Sequence, residues 1–124
     1  RWFCKMKKLI IIFILLLPIQ SFAGDWSTSD TAREIVWQSL HYVDWQQTLT
    51  IAKNPLQYNE TNPILGRHPS VDDVRTYMAI TAFLHLGISY ALPEKYRDGW
   101  QWLTIGMTGS AVARNYNVGI RFSF

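Results

Sequence analysis

The chain has 124 residues, 12 basic and 9 acidic, with a net charge of +3 and a calculated pI near 9.2. Arg1, Lys5, Lys7 and Lys8 precede Gly24 and all the acids follow it, so residues 24–124 carry eight basic against nine acidic side chains, a net −1. The basic pI therefore belongs to the N-terminal segment and gives no support to a nucleic-acid partner, which would need a basic patch in residues 24–124, and the single cysteine, Cys4, leaves those residues without disulfide, thiolate nucleophile or cysteine metal ligand.

Met6 to Ala23 has the three parts of a bacterial secretory signal. Lys7 and Lys8 form the basic start, Leu9 to Leu17 the apolar core, and Ser21-Phe22-Ala23 places small residues at −3 and −1. The expected cut lies before Gly24, with residues 1–5 as translated upstream sequence and residues 24–124 as one small domain. The apolar core is short for a span, which takes about 20 residues, and Pro18 and Gln20 weaken its end. No cysteine follows it to accept a lipid.

Ser27-Thr-Ser-Asp30 is a run of good N-cap residues, and Asn54-Pro55 a helix stop, which predicts a first helix from about Asp30 to Lys53. On a helical wheel Ala32, Ile35, Val36, Leu40, Tyr42, Val43 and Leu49 share one side, on which Gln46, Gln47 and Thr50 intrude. Glu34, Gln38, His41, Asp44 and Thr48 fall on the other. Residues 55–69 hold three of the five prolines and read as a long connection without regular structure.

Ser70-Val-Asp-Asp73 has capping-box spacing and predicts a second helix over 71–92. Its polar side chains Thr81, His85 and Ser89 form one i, i+4, i+8 stripe. Pro93 ends it, and a third helix is expected from Tyr96 or Gly99 to Arg114. Tyr77–Leu92 and Trp100–Ala113 are apolar enough to suggest a membrane-inserted hairpin joined by residues 93–99. Gly106/Ser110 and Gly109/Ala113 are two small-xxx-small pairs, a spacing that permits close helix approach and suggests a homo-oligomer contact. From Asn117 to Phe124, Val118, Ile120, Phe122 and Phe124 alternate with polar or small residues, the pattern of an extended tail.

The expected fold is thus all-α: a three-helix bundle, two helices forming an apolar hairpin, with an extended C-terminal tail. Catalytic and cofactor motifs are lacking: there is no Gly-x-Ser-x-Gly elbow and no phosphate-binding glycine loop, and His41, His68, His85, Asp44 and Glu60 lack the spacing of a recognised metal motif. No cofactor is expected.

The most distinctive string is Glu60-Thr-Asn62-Pro63, following Asp44 and Thr48 on the first helix. In this the chain resembles small helical envelope proteins of proteobacteria and their phages, in which an Asp-x-x-x-Thr helix precedes a Glu-x-Asn-Pro loop. The resemblance implies a helical, membrane-associated fold and brings no activity with it. It marks Asp44, Thr48, Glu60 and Asn62 as a polar site, to which His85 is added because a buried Asp44 facing the stripe of the second helix would pair with it. Glu60 and Asn62 are expected to staple the loop to the helix carrying Asp44. The function expected is that of an exported, membrane-associated protein binding another envelope component; the alternatives are a soluble periplasmic accessory or inhibitor domain, or a phage-related lysis or exclusion protein.

Overall fold

The computed structural model describes residues 25–120. The expected signal segment, Met6–Ala23, and the last four residues of the expected tail lie outside them. The described chain is all-helical: α1 is Thr28–Lys53, α2 Val71–Ala91 and α3 Glu94–Asn117.

Local chemistry accounts for each boundary. At the start of α1, Ser27 accepts from the Asp30 amide and Asp30 returns a bond to the Ser27 amide, a reciprocal capping box that satisfies two otherwise orphaned donors. Asn54 closes this helix ahead of Pro55. Ser70 caps α2 through the Asp73 amide, and Asp72 and Asp73 sit in the first turn, where the helix dipole favours acids. The third helix begins earlier than expected, because Pro93 serves as its N-cap and Glu94 joins the first turn.

At the other end of α3, the chain departs from the strand pattern. The Ile120 amide donates to the Asn115 carbonyl (2.9 Å) and the Gly119 amide to that of Tyr116 (3.1 Å), a Schellman closure with Gly119 at φ 93°, a left-handed conformation that glycine adopts without a side-chain clash. Val118 is exposed and Ile120 buried, so the described part of the tail turns instead of extending.

The first helix packs along both α2 and α3, which barely touch each other. A groove therefore runs between α2 and α3, with α1 as its floor. The apolar cluster lies at the end of the bundle near residue 50, where Leu49, Val74 and Met78 are buried with Trp45, Val71 and Tyr77 around them, and Trp37 is buried by itself nearer the middle.

Elsewhere the interior is polar. Asp30, Glu34, His41, Gln47, Thr48, His85, Ser89, Arg97 and Gln101 are all buried, while Ile35 (60% exposed), Phe83 (79%), Leu103 (62%) and Met107 (64%) face outward. On α1 the inward face is the polar one: Glu34 and His41 are inside, and Ile35 and Val36 of the apolar side are outside. Hydrophobicity is an unreliable guide to the inward face here because the buried polar side chains satisfy one another, which removes the penalty that would expel them.

The apolar hairpin is also corrected. No described helix is long and apolar enough to cross a membrane. Although α2 has 21 residues, Asp72, Asp73 and Arg75 occupy its start and Thr81, His85 and Ser89 interrupt the rest; α3 opens with Glu94, Lys95, Arg97 and Asp98. Of the small residues proposed for oligomer contact, Gly106, Ser110 and Ala113 are exposed, whereas Gly109 lies against α1, where an added Cβ would stand 3.7 Å from Leu40.

Candidate functional site

The groove encloses about 380 Å³. Trp37, His41 and Asp44 of α1 form its floor; Tyr77, Thr81, Leu84, His85 and Ile88 of α2 form one wall, and Trp100, Thr104, Met107 and Thr108 of α3 the other. At the loop end it continues into a second chamber of about 280 Å³, where Asp44, Asn62, Ala111 and Arg114 recur beside Thr48, Glu60 and Asn115.

The end of the bundle near the α1 N-terminus is closed by a charged clamp. Arg97 is fully buried and donates to Asp30 (3.0 Å) and to the carbonyls of Ser89 (2.7 Å), Leu92 (2.8 Å) and Asp25 (3.3 Å). Burial alone would raise the Asp30 carboxyl, but hydrogen bonding to Ser27 and Arg97 outweighs it and holds the group below the ordinary aspartate range. Arg33 bridges Asp30 to Asp98 and to Gln101. Gln101 in turn donates to the Asp30 carbonyl (3.1 Å).

One turn further along α1, Glu34 gathers donors from all three helices. His85 Nδ1 lies 2.9 Å from Glu34 Oε1, the Ser89 hydroxyl 3.0 Å from Oε2, the Gln38 amide 3.0 Å from Oε1, and the Gln101 amide of α3 3.4 Å from Oε2. Burial pushes this carboxyl up, yet the bonds from His85 and Gln38 and the nearby imidazole charge leave it lowered overall. The His85 ring stacks on Trp37 at 3.6 Å between centroids, nearly parallel, with Trp100 at 5.0 Å. Trp37 also stacks with His41, whose Nε2–H donates to the Met78 carbonyl (2.9 Å) and lies 3.1 Å from Thr81. Burial lowers the His41 pKa, favouring the neutral ring.

The hydroxyl–imidazole–carboxylate order Thr104, His85, Glu34 superficially follows that of a hydrolase triad, with His85 Nε2 2.7 Å from Thr104. The surroundings suit a structural role. Thr104 lies within α3 and its single proton can go to the Trp100 carbonyl at 2.9 Å, while the amides around it are consumed by the helix ladder, so none is aimed at a developing oxyanion.

The five expected site residues divide between two places. His85 belongs to the Glu34 cluster, so the expected Asp44–His85 pair is replaced by Glu34–His85. Asp44, Thr48, Glu60 and Asn62 meet at the second chamber. Glu60 Oε1 accepts from the amides of Thr61 (2.9 Å) and Asn62 (3.0 Å), while Asn62 donates to the Tyr77 hydroxyl (3.0 Å). The loop is thus stapled to α2, where α1 was expected. Among the described residues no group of three His, Cys, Asp or Glu side chains is placed to hold a metal ion.

Asp44 is the one acid here raised in pKa. Burial, reinforced by the Glu60 charge, raises it from 3.8 to about 6, against weaker opposing effects from Thr48 and Arg114. Because the folded state holds this proton more tightly than the unfolded chain, ionising Asp44 removes stability as the pH rises from about 4 through about 6. Asp44→Asn is therefore expected to stabilise the protein by about 2–3 kcal/mol at pH 7 and by almost nothing at pH 4. Urea unfolding across that range measures it; an equal gain at both ends would remove the ionisation argument.

No family model, characterised protein or solved structure matches the chain. The functional groups that sequence reasoning missed are Glu34, Arg97, Asp30 and Gln101. A signal for them exists: Asp30, Glu34, Trp37, His41, Asp44 and Thr48 advance by alternating steps of four and three, as do Arg97, Gln101, Thr104, Thr108 and Ala111. That is the spacing of a bundle seam, carried here mostly by polar residues.

Proposed function

We propose that this chain is an exported helical protein that lies on a membrane of the cell envelope, with its apolar exterior against lipid and its polar interior holding the three helices together. The observation that carries the reading is the reversed distribution of polarity. Ile35, Phe83, Leu86 and Tyr90, with Trp26, line a continuous apolar depression on the α1/α2 face. In water such a patch is a liability; against acyl chains it gains the free energy of burial, about 1.5–3 kcal/mol for each large side chain. Trp26 and Tyr90 meet at the edge of that face with ring centroids 5.5 Å apart and planes tilted by 40°, side chains suited to the headgroup boundary. Since no described helix is long and apolar enough to cross, the association proposed is in the plane of the membrane.

Export rests on the Met6–Ala23 pattern, with the mature chain starting at Gly24. Cell fractionation tests both halves. A processed chain is expected to stay with membranes through osmotic shock and to be released by carbonate at high pH. The double variant Phe83→Ser/Leu86→Ser is expected to move to the soluble periplasm, with membrane partition weakened ~10²–10⁴-fold, as loss of two buried apolar side chains implies. Complete release of the unaltered protein by osmotic shock would show a soluble periplasmic domain; retention that requires another envelope protein would assign the apolar face to that partner; an intact leader in the cytosol would end the export reading.

A further inference from the structure

We propose that the chamber formed by Asp44, Glu60 and Asn62, together with the groove it opens into, binds a primary ammonium group carried on an apolar body. The argument starts from unsatisfied acceptors. Glu60 Oε1 is occupied by the two amides of its own loop, but Oε2 is buried and has no hydrogen-bond partner, which is true of no other buried side-chain nitrogen or oxygen among the described residues. A buried acceptor left unmade is costly, and a carboxylate oxygen more so. Asp44, on the same chamber, is little better served: the Thr48 hydroxyl has one proton, and it lies 2.7 Å from the Asp44 backbone carbonyl against 3.4 Å from the carboxylate.

Two half-satisfied carboxylates sharing a chamber call for a compact cation rich in donors. An ammonium offers three N–H groups and a unit charge. A divalent metal suits the place less well: a hard cation takes six to eight oxygens at about 2.3–2.6 Å, and no three His, Cys, Asp or Glu groups converge among the described residues. The cation already nearby, Arg114, is exposed at the rim on α3, where solvent screens it.

The groove identifies what the ammonium is attached to. It continues from Asp44 past Tyr77, between Leu84 and Ile88 on one side and Trp100 and Met107 on the other, a mostly apolar slot large enough for an aryl or short alkyl body. The same group occurs on free amines and on aminophospholipid headgroups. Membrane seating is a separate property, since the Ile35/Phe83 depression is lined by none of these groove residues.

The probe is phenethylamine, titrated into the purified full chain by calorimetry at pH 7.5, with 2-phenylethanol as the isosteric control. Phenethylamine is expected to bind at least tenfold more tightly than the alcohol. Glu60→Gln and Asp44→Asn should each weaken it tenfold or more, and since Asp44→Asn is expected to fold more stably than the parent, its loss of binding cannot reflect unfolding. Arg114→Gln should bind equally well or better, and Phe83→Ser/Leu86→Ser should bind normally even where membrane association is lost.

Lowering the pH to 5 should weaken binding as Asp44 takes up a proton. The other groups facing it are Glu60 and Tyr77, whose hydroxyl stays protonated, with neutral His41 deeper in the groove and Arg114 at the rim. Competition by vesicles containing phosphatidylethanolamine, but not by phosphatidylcholine alone, would assign the amine to a lipid headgroup; absence of competition would assign it to a free amine. Equal affinity for the alcohol, unchanged binding by both acid variants, or binding of calcium chloride in place of the amine would overturn the proposal.

Discussion

Arg97→Met is expected to be the most destabilising single substitution in the protein, at about 3–5 kcal/mol, the range for removing one partner of a buried ion pair. The guanidinium is wholly buried and holds four acceptors from three parts of the chain: the Asp30 carboxylate, the Ser89 and Leu92 carbonyls at the end of α2, and the Asp25 carbonyl ahead of α1. Methionine fills most of the volume and satisfies none of them. Much of the loss comes from leaving Asp30 ionised and buried with Arg33 as its remaining cation. Asp30→Asn in the Arg97→Met background should therefore recover a large part of it. Thermal and urea unfolding of the two single variants and the double variant would measure this; a melting point for Arg97→Met within a few degrees of the parent would refute the idea that the clamp holds the helices.

Glu34→Leu is expected to cost nearly as much, also about 3–5 kcal/mol, because it leaves the buried His85 Nδ1 without its carboxylate, while Ser89 and Gln38 fall back on the His85 and Ala82 carbonyls. Glu34→Gln should cost less, since an amide oxygen can keep one of those bonds. A double-mutant cycle with His85→Gln isolates the pair, and a coupling of about 1–3 kcal/mol is expected for two side chains in direct contact. Strict additivity would mean that the network, not this bond, carries the effect.

Asp30 and Glu34 on one side and Asp44 on the other respond to pH in opposite directions. Glu34 and Asp30 have folded-state values lowered from 4.5 and 3.8, so their stabilisation is complete above the unfolded values and is lost as the pH falls through the lowered ones. Asp44 is raised, so its ionisation destabilises as the pH rises toward 6. Greatest stability is therefore expected on the acid side of neutrality, where the clamp is charged and Asp44 is still largely protonated. The chamber sacrifices stability for an ionised carboxylate near neutral pH, which is the form an ammonium requires.

Helix limits were the most readable part of the molecule. Ser27 with Asp30, Ser70 with Asp73, and Pro55 and Pro93 act within a few residues, so their effect does not depend on what the helices later touch. The grouping of Asp44, Thr48, Glu60 and Asn62 was readable as well, since Asp44 and Thr48 lie one turn apart on α1 and Glu60 and Asn62 in one short loop. The His85 partner was not. Glu34 stands ten residues before Asp44 on the same face, close to three turns of helix, and only the register of α2 against α1 determines which acid the imidazole meets.

What the amino-acid order determined by itself was three helices and the ends of the first two, because capping, proline geometry and i, i+4 spacing are local. What tertiary structure decided was which side of each helix faces inward. A wheel sorts α1 into an apolar and a polar side without deciding which is buried; the folded bundle turns Glu34, His41, His85 and Arg97 inward because each finds its partner on another helix. Mutual satisfaction of buried polar groups is a property of pairs across the bundle, and it comes into being only when the helices meet.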